Sequence, residues 1–371
     1  MLRNSTTYKL SGTKTFRRSS TKILGYWGSN LQNIEKHMRQ IYKPDGLSPA
    51  LTEKCLHWIK TGETSQFTEI ELLCLKVFIQ SDQSGAEALI VAYESDPLDY
   101  RQLFIHNVKP HVYVALKLFK DVWKKKLKDS GGLTEGLDID LLCNTPIEDL
   151  KKNPFWSDMD KLIKSSDNWQ ARERYYYLAK QTVHSFSYDV QGPTFRMNIL
   201  EKSEGQIYIS NEDACNFLLT IRSLFPEVPE RNKRIEKQIR ETGMLFNLFG
   251  HPFILTDYNI DKKLKEYYAW SSQSTVGEIT RIASTNYYLE EMLENKKPYD
   301  LLADTHDSFL TQCPLMFVRE NRDAMRQRMN IDLVSPNDGT KFKMKSEQNI
   351  GFNWNSAKES NPLGLQELTW L

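Results

Sequence analysis

The sequence predicts an α+β fold with few strands, on three observations. Segments with helical periodicity dominate the chain, at 48–61, 84–94, 110–128, 169–187, 211–224, 229–249, 260–269 and 275–295. Strand-like patterning is confined to three regions, 72–82, 300–314 and 339–354. Hydrophobic residues make up 40% of the 371 residues and charged residues 26%, enough for a sizeable core. No apolar run reaches the ~18 residues that a membrane span needs.

The elements follow in order. Residues 1–34 are rich in Ser, Thr, Asn and Gly and read as irregular. SPALTEKCLHWIKT (48–61) reads as a short helix with Ser48 as cap and Pro49 inside its first turn. LLCLKVFIQSD (72–82) is a compact apolar run, read as a strand that delivers Asp82 to its edge. Residues 84–94 carry Ala, Leu and Ile at helical spacing. Residues 110–128 form an amphipathic helix opened by Pro110 and closed by lysines, which suits the helix dipole. Residues 129–168 read as a loop-rich insertion, and 169–187 as a long polar-aromatic helix. DLLADTHDSFLTQCP (300–314) reads as strand, tight turn, strand, with His306-Asp307 at the turn. The alternation in 339–354 predicts a final strand.

Several function classes are excluded. Cys55, Cys74, Cys143, Cys215 and Cys313 stand far apart with no C-x-x-C pair, against a zinc module or a disulfide scaffold. No G-x-x-x-x-G-K-[ST], H-E-x-x-H or G-x-S-x-G occurs. The net charge of +1 hides an asymmetry. Residues 1–60 hold eleven Lys and Arg against three acids, a surplus of +8 that leaves −7 on the rest. A polyanion-binding surface beside an acidic, metal-binding centre gives this pattern, and so does a solvated basic arm.

Two features carry chemistry. Asp82 and Asp307 each end or interrupt an apolar strand-like run, 225 residues apart. If they converge, they suit a pair of divalent ions that activate a hydroxyl and stabilise a leaving oxygen; otherwise each is a turn or cap aspartate. In RERYYYLAKQTVHSFSYD, residues Arg172, Tyr176, Lys180, His184 and Tyr188 follow at i, i+4 steps on one helix face. Its cations suit phosphates and its rings a base or sugar. A core-packing stripe is the other reading, weakened by the cost of burying Arg172 and Lys180.

Taken in order, these segments resemble the polymerase domain of family A DNA polymerases, the group of bacterial DNA polymerase I and many phage replicases. The likeness runs from about residue 10 to 355. Thr13-Lys14-Thr15-Phe16-Arg17-Arg18-Ser19-Ser20, then Asn30-Leu31-Gln32-Asn33-Ile34, is similar to T-x-T-G-R-L-S-S … N-L-Q-N-I. It implies primer–template contacts from Arg17, Asn30 and Gln32, with Phe16 in place of the usual Gly. Asp82-Gln83-Ser84-Gly85-Ala86-Glu87 resembles motif A, D-Y-S-Q-I-E. It implies that Asp82 and the Gln83 backbone carbonyl bind metal and that Glu87 is a gate against the ribose 2′-hydroxyl. The aromatic helix resembles motif B. Lys180 takes the phosphate-binding position, His184 the place beside the sugar, and Tyr188 pairs with Glu87. Tyr176 stands at the motif's Arg position, so Arg172 is the substitute, with Arg174 as runner-up; Asp189 replaces a Gly. Phe225-Pro226-Glu227-Val228 resembles the segment that follows. Lys265 and Gln273-Ser274-Thr275 resemble a helix whose Gln reads the minor groove at the primer end, with Ala269 in place of the family's Asn. His306-Asp307-Ser308 resembles motif C, H-D-E, with Ser308 for Glu. Asp307 is then the second metal ligand and His306 a contact near the primer terminus. Gly351-Phe352-Asn353-Trp354 resembles the closing G-x-N-W.

The resemblance implies a right-hand polymerase core. An antiparallel palm, residues 1–112 and 235–371, is interrupted by helical fingers, 113–234, and the thumb and exonuclease domains are absent. The implied activity is template-directed DNA synthesis in phage-type replication or repair, with Asp82, Asp307 and Lys180 catalytic. The cofactor is two Mg²⁺, with Mn²⁺ as a substitute. The partners are primer–template DNA, dNTPs and a separate thumb/exonuclease chain or processivity factor, with no membrane. The alternative is a primer–template-binding subunit inactive without such a chain. The basic, polar N-terminus lacks the apolar core of a secretion signal, which predicts the cytoplasm of a bacterium or a phage-infected cell.

Overall fold

A computed structural model describes residues 7–9, 19–21, 32, 34–129, 138–168, 173–256 and 259–371. The protein is α+β, with many helices and antiparallel sheets. No helix among the described residues is long and apolar enough to cross a membrane.

Thr68 starts the first departure from expectation. Its hydroxyl accepts from the Glu71 N–H while the Glu71 carboxylate accepts from the Thr68 N–H at 2.8 Å. This reciprocal cap nucleates a helix over Glu69–Cys74, so the strand expected from 72 begins only at Lys76. That strand, β1 (Lys76–Gln83), is central. With β2 (Asp300–Thr305), β3 (Ser308–Pro314) and β4 (Ser346–Gly351) it makes an antiparallel sheet in the order β4-β1-β3-β2. Strand alternation divides its side chains. Val77, Ile79, Phe309 and Cys313 face a core shared with Tyr287, Met325 and Met329. Phe78 and Leu310 face the other way, under Trp354 and Leu365.

Directly after β1 comes α1 (Ala86–Glu94), entered through Gly85 at φ +61°. The segment 110–128 is two helices, α2 (Pro110–Leu118) and α3 (Lys120–Asp129). The bend at Phe119 lets Trp123 bury fully and donate its indole N–H to the Ala115 carbonyl at 2.9 Å. The described part of 129–168 is largely helical, with Ile139–Asn144, Ile147–Leu150 and Trp156–Lys164 burying Leu142, Leu150, Met159 and Ile163. The aromatic helix, α4 (Tyr175–Ser187), packs on α2 and Asn211–Leu224. One core runs from Val91 to Val228 through these helices. The expected boundaries at 112/113 and 234/235 fall inside α2 and inside α5 (Glu227–Thr242).

The helices expected at 260–269 and 275–295 are one, α6 (Leu264–Tyr287), continued by a π-helical stretch at Tyr288–Glu294. The polar run Ser271-Ser272-Gln273-Ser274-Thr275 lies where the two were expected to part. Its hydroxyls instead find tertiary partners: Asn247 donates to Ser274 at 2.9 Å, the Leu248 N–H to Thr275 at 3.2 Å, and Ser271 to Glu94. The helix expected at 229–249 stops at Thr242, where Gly243 turns left-handed at φ +68° into a hairpin of Met244–Phe246 and Pro252–Ile254. Helices Asp99–Ile105, Gly192–Lys202 and Val318–Met329 were not foreseen. Within the segment read as irregular, Thr7–Lys9 pairs antiparallel with Ser19–Thr21.

Candidate active site

The hairpin β2–β3 turns on His306-Asp307, and register fixes what the turn meets. Asp82 pairs with Ser308, and the Gln83 N–H donates to the Asp307 carbonyl at 3.0 Å. The two aspartates distant in sequence therefore share one end of the sheet. Asp307 and His306 are exposed and Asp82 is half-buried. On the other side of β1, Glu347 of β4 stands opposite Asp82. Cross-strand partners lie on one face with Cβ atoms ~5 Å apart, so the row reads Ser308, Asp82, Glu347. The Ser84 hydroxyl donates to Glu347 Oε1 at 2.9 Å. Glu347 was missed; the alternation in 339–354 marks its strand, but only register reveals its partner.

This crowding is visible in the acid–base behaviour. Partial burial, then the charges of Asp307 and Glu347, push the Asp82 carboxyl up to about 7, against the Ser308 hydroxyl and Lys36. Carboxylates held together against their own repulsion suit a divalent cation. Among the described residues, no group of three or more His, Cys, Asp or Glu forms a ready cage. Mg²⁺ does not need one, since it is commonly held by one or two carboxylates, substrate phosphates and its own waters. The donor set of Asp82 and Asp307 fits that mode. Gln83 turns its side chain away, donating to Thr280 Oγ1 at 2.7 Å and to the Val276 carbonyl at 3.2 Å, and so ties the end of β1 to α6.

One helical turn past this corner, Glu87 stands in the first turn of α1 and accepts a short hydrogen bond from the Tyr188 hydroxyl. Tyr188 is buried, and burial followed by the Glu87 charge raises its phenol well above the usual range, so it stays a donor. The His184 ring meets Tyr188 edge-on, centroids 5.2 Å apart at 86°. Loss of hydration lowers the His184 pKa, helped by Lys202 and Lys180 and opposed by Glu87. Lys180 is exposed one turn back on α4. His111 on α2, not foreseen, sits edge-on to Tyr176 at 6.3 Å; burial, then Lys180, lowers it to about 4, so it is neutral. The corner thus joins an acidic end to a helix face carrying an ammonium, an imidazole and a neutral phenol, with a second imidazole on α2.

The other expected residues are less concentrated. Gln32 donates to the Asp304 carbonyl at 2.9 Å, beside the hairpin turn. Gln273 is half-buried on α6, three residues before Val276 and on the same side of the helix. Lys265 is exposed, about 12 Å further along the axis. Arg17, Asn30 and Arg172 lie outside the described residues. The runner-up Arg174 is 3% exposed and pairs in a short ribbon with Asp167. Asp189 occupies the left-handed position, φ +52°, that a glycine favours. Asp tolerates this region better than most residues, and Arg222 holds its carboxylate at 2.8 Å.

No family model and no curated protein matches this sequence. Among solved structures, the fold is similar to the POL domain of Pol1 from M. smegmatis in complex with DNA primer-template and dNTP, at a TM-score of 0.58 and 15% sequence identity. The match covers 94% of this chain and 47% of that one, so the chain spans about half the length of its neighbour. The protein has a polymerase-like fold.

Proposed function

We propose that the protein is a DNA-directed DNA polymerase that extends a primer on a template. The observation that carries this reading is the approach of Asp82 and Asp307 across β1 and the β2–β3 turn. The fold neighbour, solved in complex with DNA primer-template and dNTP, supports it. In this reading the four-stranded sheet is the palm and the body around α2 and α4 is the fingers.

The primer 3′-oxygen bonds to the α-phosphorus of a dNTP, the bond from that phosphorus to the bridging oxygen of the β-phosphate breaks, and pyrophosphate leaves; the hydroxyl proton goes to solvent. Asp82, Asp307 and the Gln83 carbonyl would hold divalent ions, which when bound would supply charge neutralisation for the attacking and leaving oxygens. Lys180 binds the departing phosphates from an exposed helix face. Arg172 adds a second cation on the phosphates. His184 flanks the sugar. Glu87, engaged by Tyr188, occupies the space a ribose 2′-hydroxyl needs. Arg17, Asn30, Gln32, Lys265, Gln273 and His306 contact primer and template. Such contacts position the duplex, while base pairing selects the nucleotide.

The test is extension of a labelled primer on a longer template with the four dNTPs and Mg²⁺, with and without EDTA. Metal-dependent addition of nucleotides is expected. Tight primer–template binding without extension, in Mg²⁺ or Mn²⁺, would contradict the proposal.

A further inference from the structure

We propose that Glu347 is a positioning residue for the cation at Asp82, accepting hydrogen bonds from its water shell and adding a third negative charge to the corner. The inference rests on the polymerase reading of this site and extends it to a residue 40 positions after the Asp307 turn. Three observations support it. Glu347 is the cross-strand partner of Asp82, on the same face of the sheet. Across β1 the matching position is Ser308, a neutral side chain, so the acid that joins Asp82 in this cross-strand row comes from β4. Ser84 then holds one Glu347 oxygen at 2.9 Å, which orients a side chain that is otherwise exposed.

The geometry argues for an outer rather than a direct role. The described acids do not close into a three-ligand cage, and Mg²⁺ gives up its waters reluctantly. A carboxylate one strand away therefore meets the hydrated ion through those waters. Groups acting at that distance orient the inner ligands, and their removal typically weakens metal affinity ~10- to 100-fold.

The test uses Mn²⁺ titrated into the full chain, alone and with a dideoxy-terminated primer–template plus the matching dNTP, following the electron paramagnetic resonance signal of unbound Mn²⁺. Wild type, Asp82→Asn, Glu347→Gln and Glu347→Asp are compared. Glu347→Gln keeps the size and the acceptor for Ser84 while removing the charge. The expected result is loss of the site in Asp82→Asn, ~10-fold weaker binding in Glu347→Gln, and recovery in Glu347→Asp. The melting midpoint of Glu347→Gln is measured alongside to show that it folds. If Glu347→Gln binds Mn²⁺ as wild type does while Asp82→Asn has lost the site, the role of Glu347 is overturned and the site stands. If Asp82→Asn also binds as wild type, the metal reading of the corner itself fails.

Discussion

Glu87 and Tyr188 couple two helices through one hydrogen bond, and the chemistry of each side chain explains the pairing. A buried phenol whose pKa is raised remains a donor, and a carboxylate is its natural acceptor. Glu87→Ala removes the proposed obstacle to a ribose and is expected to raise ribonucleotide incorporation tenfold or more (~1.4 kcal/mol of discrimination); single-nucleotide insertion with rNTP against dNTP reads this, and unchanged discrimination would remove the gate role. Gly85 adopts a left-handed backbone immediately before α1, with open space where a Cβ would stand. Gly85→Ala therefore costs backbone strain alone, about 1 kcal/mol of stability by urea unfolding; a neutral change would show that the turn relaxes freely. The Glu87–Tyr188 pair was legible only through the resemblance of its two segments to motifs A and B. Glu347 was not, because its meaning lies in a strand pairing across more than 260 residues. The burial of Arg174 was not legible either, because the ribbon that covers the helix entry leaves no signal in helical spacing.

Helix α1 is anchored at its far end by a buried pair. Arg231 of α5 donates to Glu94 and to the Tyr268 carbonyl, and Ser271 of α6 donates to the same carboxylate. Both charged residues are almost fully buried, Arg231 at 1% exposure and Glu94 at 8%. Removing one partner strands the other, so Arg231→Ala should destabilise the protein by ~3–5 kcal/mol in urea unfolding. A loss below 1 kcal/mol would mean that water reaches Glu94. At this scale the helices with clean periodicity, such as Asn211–Leu224, were legible within a residue or two, and so was the β2–β3 hairpin. The failures share a cause. The capping box at Thr68, the bend at Phe119 and the serine hydroxyls of α6 are decided by partners distant in sequence or by caps that outweigh hydrophobic periodicity. Polar runs such as 271–275 look like breaks until tertiary donors and carboxylates satisfy them.

Across the whole molecule, a sheet and a helical body meet where acids and bases concentrate. The corner also makes stability depend on pH. Asp82 has a folded pKa of about 7, above the ~3.9 of an unfolded aspartate, so the folded state binds the extra proton between those values. The contribution of Asp82 to stability is then greatest at and below pH 4, declines as pH rises towards 7, and is flat above. Asp82→Asn removes the repulsion and should exceed wild type in stability at pH 8, by on the order of 2 kcal/mol with EDTA present, while the gap closes towards pH 4; thermal unfolding at the two pH values checks it, and an equal deficit at both would contradict it. The most direct measurement is primer extension with Mg²⁺ by wild type, Asp82→Asn and Asp307→Asn, with folding of each verified. The account predicts extension by wild type and a loss of at least 10²-fold, about 2.7 kcal/mol, in either variant. Extension at wild-type rate by either one would contradict the joint role of Asp82 and Asp307.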